Sequence, residues 1–420
     1  MRIAMPRLHS VSSRANGPRV RTTNTLGRRT QTMAEPISVE ALIEQAHKDT
    51  GIDAFDAETY REGLEVFIED FNDGIAKGLY PDSGIERAKA DSVHYLRTRL
   101  KIADYLRQNP ELLERTIDRP VFVMGMARTG TTLMSNLLAA DPGRRSALTW
   151  EIDDPVPPAT TETLKTDPRA LARLEQERAM LAANPDMGKY YRGSAVYPNE
   201  CVFMMAGDFK TLMIESKGIL PKYREFIFNC DMTSSYEYHK KFLQVLQHNA
   251  PGVWNLKKPS HSLFLEYLFQ VYPDARVVWT HRDPYTATGS LASLIKLSHG
   301  AYMGKIDYEW LGENYSWQQI QHANRIMDFR DKFGENRIID VHYADLIRDP
   351  VGATRKLYAE LGDAFTPQAE AAIQTWVDDN PQNKFGVHEY NLKQFGLSKE
   401  QLAPHFERYL SRYDVEPEGK

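Results

Sequence analysis

The chain has 420 residues, 42% of them hydrophobic, enough to bury one large core or a core with an appended lobe. No apolar run approaches the roughly 18 residues that span a bilayer, and with only two cysteines, Cys201 and Cys230, a disulfide framework is excluded and a reducing cytoplasm is the simpler setting. The net charge of −5 hides an asymmetry: residues 1–34 carry seven arginines, no lysine and no acid, leaving 45 basic against 57 acidic residues in the rest, a balance of −12 that speaks against a nucleic-acid partner.

Taken in chain order, residues 1–34 are rich in Ser, Thr, Gly and Asn, show no hydrophobic periodicity and read as a disordered leader. They lack the apolar stretch of about 7–15 residues that a secretory signal needs. An acid-free, arginine-rich leader fits an organellar transit peptide. The preferred reading is an upstream mis-start, because Met33 begins MAEPISVEALIEQA, a natural-looking start with a helix behind it. Residues 35–117 read as a helical lobe. In Ala57–Leu79 the residues Tyr60, Leu64, Phe67 and Phe71 recur at spacings of three and four and form one apolar stripe. Asp82–Arg107 behaves similarly and stops at Asn109-Pro110.

Residues 118–420 read as an α/β domain. Pro120–Met124 is a short apolar run bounded by glycine, the pattern of a buried parallel strand, and Thr131–Ala140 follows as a helix. A strand-like run at Ser146–Thr149 precedes a mostly helical insert over about 155–249. Strand patterns return at Val253–Leu256, Arg276–Thr280 and Arg337–Val341, with helices between and after them. Alternation of this kind predicts a central parallel sheet with flanking helices.

Three segments carry chemistry. In Val123–Thr132 a strand runs into a turn with Gly125 and Gly130 and then opens a helix. Helix-terminal N–H groups, the hydroxyls of Thr129, Thr131 and Thr132 and the planar cation of Arg128 make that turn an anion cradle. It is close to a Walker A loop, but Thr131 stands where the phosphate-binding lysine should be, and the basic residue precedes the second glycine instead. At the end of the strand Arg276–Thr280, Arg282 sits where ligands bind in open α/β sheets, and Ser290 lies eight residues on, along the next helix. The strand at 253–256 runs into Lys257, Lys258, Pro259, Ser260 and His261. Strand alternation sends only one of the two lysines into the cleft. A histidine titrating near neutrality suits a general base, and a lysine can stabilise charge on a departing oxygen. Glu200 and Glu151 are alternative bases. No ligand cluster of the usual metal-binding kind occurs.

The run Arg128-Thr129-Gly130-Thr131-Thr132 resembles the 5′-phosphosulfate loop of sulfotransferases that use 3′-phosphoadenosine 5′-phosphosulfate (PAPS), in which Lys or Arg precedes [ST]-G-T-[TS]. The resemblance runs from about Arg119 to Tyr413 and implies a P-loop-like sulfotransferase fold. It implies that residues 128–132 hold the 5′-phosphate and sulfate, with Arg128 also assisting transfer, and that Arg282 and Ser290 hold the 3′-phosphate. Lys257 better matches the family's Leu-Lys start, and His261 matches its histidine base. Lys384–Leu397 resembles the loop over the nucleotide in the bacterial and carbohydrate-type branch, which makes Gly386, His388 and Tyr390 further donor contacts. The implied reaction is in-line, metal-free transfer of a sulfuryl group from PAPS to a hydroxyl or amine of a small molecule, lipid or sugar. Acceptor contacts are expected from the insert: Trp150, Glu151, Tyr191 and Glu200. The rival readings are a P-loop kinase or NTPase, which the missing lysine disfavours, and a non-catalytic nucleotide-binding module.

Overall fold

In a computed structural model, the structure describes residues 35–183, 194–381, 391–416 and 418. The leader, Tyr191, Gly386, His388 and Tyr390 lie outside the described residues.

The lobe is three helices: α1 (Val39–Thr50), α2 (Tyr60–Ala76) and α3 (Asp82–Gln108). Ser38 caps α1 by accepting the Ala41 N–H, and Gly51 closes it at a φ of 67°. The Tyr60, Leu64, Phe67 and Phe71 stripe of α2 is buried, as the spacing predicts. Arg99 of α3 is buried as well. It pairs with Asp208 at 2.7 Å and Asp56 at 3.0 Å and donates to the carbonyls of Ala57 and Gly207. A buried guanidinium satisfied in this way ties the lobe to the insert.

The sheet has five parallel strands, β1 (Val121–Met124), β2 (Arg144–Arg145), β3 (Val253–Lys257), β4 (Arg276–His281) and β5 (Ile338–His342), in the order β2-β3-β1-β4-β5. Four of them coincide with the predicted runs within a residue or two. The fifth does not. Instead of a strand over 146–149, pairing stops at Arg145, because Glu151 takes the N–H of Leu148 and a short helix begins at Thr149.

β1 is buried along its whole length and carries the register of the sheet: Val121 opposes Asn255 on one side and Arg276 on the other. Its side chains alternate. Val121 and Val123 face a core with Leu137, Leu357 and Ile373. Phe122 and Met124 face a larger core that takes in Trp254, Trp279 and the apolar stripe of α2, so the lobe packs into the same core as one face of the sheet. α4 (Thr131–Ala140) follows β1, α5 (Thr149–Asp153) leads into the insert, and the insert contributes α6 (Pro168–Ala183) and α7 (Cys201–Met204). Among the described residues no helix is long and apolar enough to cross a membrane.

Candidate active site

From β1 the chain builds β2 and β3 on one side and then crosses over β1 to build β4 and β5 on the other, so the C-terminal ends of β3, β1 and β4 flank a switch point, where open α/β sheets bind ligands. Residues 125–130 leave β1 there. Gly125 (φ 147°) and Gly130 (φ 97°) hold backbone that L side chains avoid, and a Cβ on Gly130 would come within 2.6 Å of the Tyr343 ring. Arg128 takes a φ of 71° without being glycine, the kind of strain that functional sites retain. Gln319 fixes the loop from below: it accepts the Ala127 N–H at 3.0 Å and donates to the Ala127 carbonyl at 2.9 Å. That clamp comes from a helix 192 residues away in sequence, and no local pattern signals it.

The predicted residues separate once placed. Arg128, Ser290 and Arg282 converge: Arg128 Nε donates to Ser290 Oγ at 3.0 Å, and Arg282 Nη1 donates to the Arg128 carbonyl at 3.0 Å. The Arg282 guanidinium lies over the Tyr343 ring at 4.2 Å and holds the Glu418 carboxylate through Nε and Nη2, at 2.6 and 2.7 Å. A fork that grips a carboxylate with two parallel bonds has the geometry that a phosphate requires. Thr131 and Thr132 open α4, where the first N–H groups have no partner within the helix. Thr129 is different: its hydroxyl is engaged inside the protein, with the Met126 carbonyl and Thr280 Oγ1, both at 2.7 Å, so only its backbone is left for a ligand.

β3 resolves the two lysines. Lys257 points to the α4 side, where Nζ is 2.6 Å from Glu200 Oε1 and 3.3 Å from Thr132 Oγ1. Lys258 points to the opposite side and is fully buried. Its Nζ donates to Met205 Sδ at 3.1 Å and lies over the Phe264 ring at 5.5 Å. Burial pulls its pKa down to about 8.

Three expected site residues are packed inside the protein. His261 follows Lys258 into the core and not into the cleft. It is fully buried and packed edge-on to Phe122 at 5.0 Å. Nδ1 engages the Tyr236 hydroxyl at 2.8 Å, and burial lowers its pKa well below the usual imidazole value. The imidazole thus faces the core, away from Lys257, with Nε2 buried and without a hydrogen-bond partner among the described residues. Glu151 is likewise sealed, paired with Arg145 at 2.5 Å while it caps α5, so it is not an available base. Trp150 is buried under the Arg169 guanidinium and donates to the Leu164 carbonyl, which leaves it no face for a substrate. Glu200 is the one carboxylate of the two that pairs with Lys257, with 31% of its side chain exposed.

Among the described residues no group of three or more His, Cys, Asp or Glu is arranged to hold a metal ion.

Known proteins resemble the chain as follows. A model of the sulfotransferase family matches residues 120–367. The crystal structure of sulfotransferase STF9 from Mycobacterium avium superposes with a TM-score of 0.85 at 36% identity, covering 94% of this chain and 100% of that one. That of STF1 from Mycobacterium tuberculosis H37Rv gives 0.79 at 28% identity, covering 88% and 98%. The omega-hydroxy-beta-dihydromenaquinone-9 sulfotransferase Stf3 of Mycobacterium bovis is 24% identical over 315 residues, 71% of this chain and 77% of that protein.

Proposed function

This chain belongs to the sulfotransferase family and is a sulfotransferase, and from that premise we propose that its donor is PAPS, its base Glu200 and its leaving-group cation Lys257. The observation that carries the proposal is the Lys257–Glu200 pair, 2.6 Å apart, with Lys257 Nζ also 3.3 Å from Thr132 Oγ1 in the first turn of α4.

The residues present suit such a donor. The N-terminus of α4 and the Arg128 guanidinium favour an anion at one end. The Arg282 fork, next to Ser290, favours a second anion at the other end. PAPS supplies the activated sulfuryl group. Glu200 accepts the proton of the attacking acceptor hydroxyl as the new S–O bond forms. Lys257 and Arg128 stabilise the electron pair that stays on the departing phosphate oxygen as the old S–O bond breaks. Neither step calls on His261. The kinase reading loses support twice: Thr131 replaces the Walker lysine, and the family match is to sulfotransferases. The acceptor is a hydroxyl-bearing small molecule or lipid, in keeping with a relative named for a hydroxylated menaquinone. The cytoplasm suits two unpaired cysteines.

The desulfated product, PAP, tests the donor assignment. PAP should raise the melting temperature far more than ATP does, and Arg282→Ala should weaken PAP by about 1.5–3 kcal/mol while hardly affecting adenosine 5′-phosphosulfate, which lacks the 3′-phosphate. Equal stabilisation by ATP and PAP, or equal weakening of both ligands, overturns it.

A further inference from the structure

A cavity of about 350 Å³ lies between the lobe and the insert. One wall is α3, which presents His94, Tyr95 and Thr98 at helical spacing. The facing wall is Ile152 and Asp153 of α5 with Arg173 of α6. Phe203 and Met204 of α7 form the third. That third wall begins one helical turn from the carboxylate assigned as base: Glu200 immediately precedes α7, and its carbonyl accepts the Phe203 N–H at 3.2 Å. Lys101 of α3 pairs with Asp154 at 2.8 Å and holds the first two walls together.

Two buried polar atoms on the lining have no hydrogen-bond partner among the described residues, Asp153 Oδ2 and Arg173 Nε. The two side chains form an ion pair, with Arg173 Nη1 3.3 Å from Asp153 Oδ2, and Arg173 Nε is 3.7 Å from Glu177 Oε1, beyond hydrogen-bond reach. Asp153 Oδ2, held by that ion pair, and Arg173 Nε place an acceptor and a donor side by side without a hydrogen-bond partner among the described residues, the complement of a hydroxyl. An ammonium would meet the Arg173 cation. A carboxylate would meet Asp153 and also Asp91, although Asp91 is already engaged by Lys217 and the Tyr302 hydroxyl. Burial pushes the Asp153 carboxyl up and the His94 imidazole down, both towards neutrality. Beside the polar Asp91, His94 and Thr98, the lining includes Tyr95, Ile152, Phe203 and Met204, an apolar and aromatic part suited to the face of a ring. The volume sits near the lower end of the range of about 300–1,000 Å³ for small-molecule sites, the size of a ring system and not of a long chain.

We propose that this cavity is the acceptor site, and that it takes a compact, neutral ring compound with two hydroxyls: one presented to Glu200, the other donating to Asp153 Oδ2 and accepting from Arg173 Nε. The assignment rests on the sulfotransferase reading above and adds the acceptor class. An acceptor without the second hydroxyl would bury the Asp153–Arg173 ion pair without a hydrogen bond to Asp153 Oδ2 or Arg173 Nε, which is how hydrogen-bonding sites reject such analogues.

The test uses the full chain saturated with PAP and isothermal titration of three probes: a panel of naphthalenediols, the two naphthols, and farnesol as a chain alcohol. At least one diol should bind about ten-fold or more tighter than either naphthol, with farnesol weakest. Asp153→Ala should remove the preference for the diol. Phe203→Ala, at a side chain already partly exposed, should weaken diols and naphthols together and keep their ratio. PAP affinity should be unchanged in both variants. Equal binding of diols and naphthols, no measurable diol binding, a preference that survives Asp153→Ala, or tightest binding by farnesol overturns the assignment. A parent protein that does not bind PAP at all overturns the donor reading instead, and this one with it.

Discussion

Lys257 and Lys258 are neighbours in the chain and belong to different halves of the molecule. Lys257 ends beside Glu200 and Thr132, on the side of the sheet where α4 begins. Lys258 ends among Met205, Phe264 and Tyr236, with no carboxylate partner among the described residues. The difference extends to the residues around them. The Lys257 side gathers the loop, Arg128, Ser290 and Arg282. The Lys258 side gathers two histidine–tyrosine pairs, His261 with Tyr236 and His239 with Tyr272, each at 2.8 Å and fully buried. Both sides hold cations and titratable groups, but only the Lys257 side places a partly exposed carboxylate, Glu200, beside its lysine. Chemical type alone therefore does not mark a catalytic residue; access decides.

The largest effect should follow from disturbing the open side. Glu200→Gln should lower turnover by about 10²–10⁴-fold with PAP binding intact. Lys257→Met should lower it by about 10²–10³-fold. Single-turnover assays beside PAP titrations measure both. If Glu200→Gln keeps near-normal turnover, the base lies elsewhere and the contrast between the two sides fails.

A smaller effect, of a different kind, should follow on the sealed side. His261→Leu should remove about 2–3 kcal/mol of stability, because it strands the Tyr236 hydroxyl and loosens packing on Phe122. Turnover per folded molecule should stay close to that of the parent. Urea unfolding and active-site titration separate the two readouts, and a folded but inactive variant would return His261 to the chemistry.

The smallest effect sharpens the comparison through pH. Lys258 titrates at about 8 in the folded protein against an ordinary value of 10.5, and burial is the main cause. Between those values the unfolded chain holds a proton that the folded chain has shed, so the parent should gain stability as pH rises through that window. Lys258→Met should lose that slope and gain about 1 kcal/mol at pH 7, where the folded parent carries a buried, unpaired charge. Melting curves from pH 6 to about pH 10 test the sign; a parent whose stability is flat over that range would argue that Lys258 is paired.

Much of this protein was legible in its sequence because the signals are local. Periods of three to four residues marked α2 and α3, short apolar runs marked four of the five strands, and glycines with arginine and threonine marked the anion loop. The positions of Arg282 and Ser290, at a strand end and two helical turns along the next helix, were also readable, and the structure brings both to Arg128. The side that each residue faces was not readable. His261 has the right type and the right neighbours in sequence, but a short 3₁₀ turn over Pro259–Leu263 carries it into the core. Glu200 was one of two alternatives to His261 as base, and only tertiary packing separated the two carboxylates: it paired Glu151 with Arg145 and brought Glu200, 57 residues before Lys257 in the chain, onto that lysine. The Gln319 clamp, the Glu418 grip on Arg282 and the cavity between α3, α5, α6 and α7 join segments that are distant in sequence. Sequence alone determined which elements form and what chemistry they carry, because helix and strand periods and loop composition act over a few residues. Which of those groups meet, and which of them a ligand can reach, only the tertiary structure decided, because burial and pairing depend on contacts that no local pattern encodes.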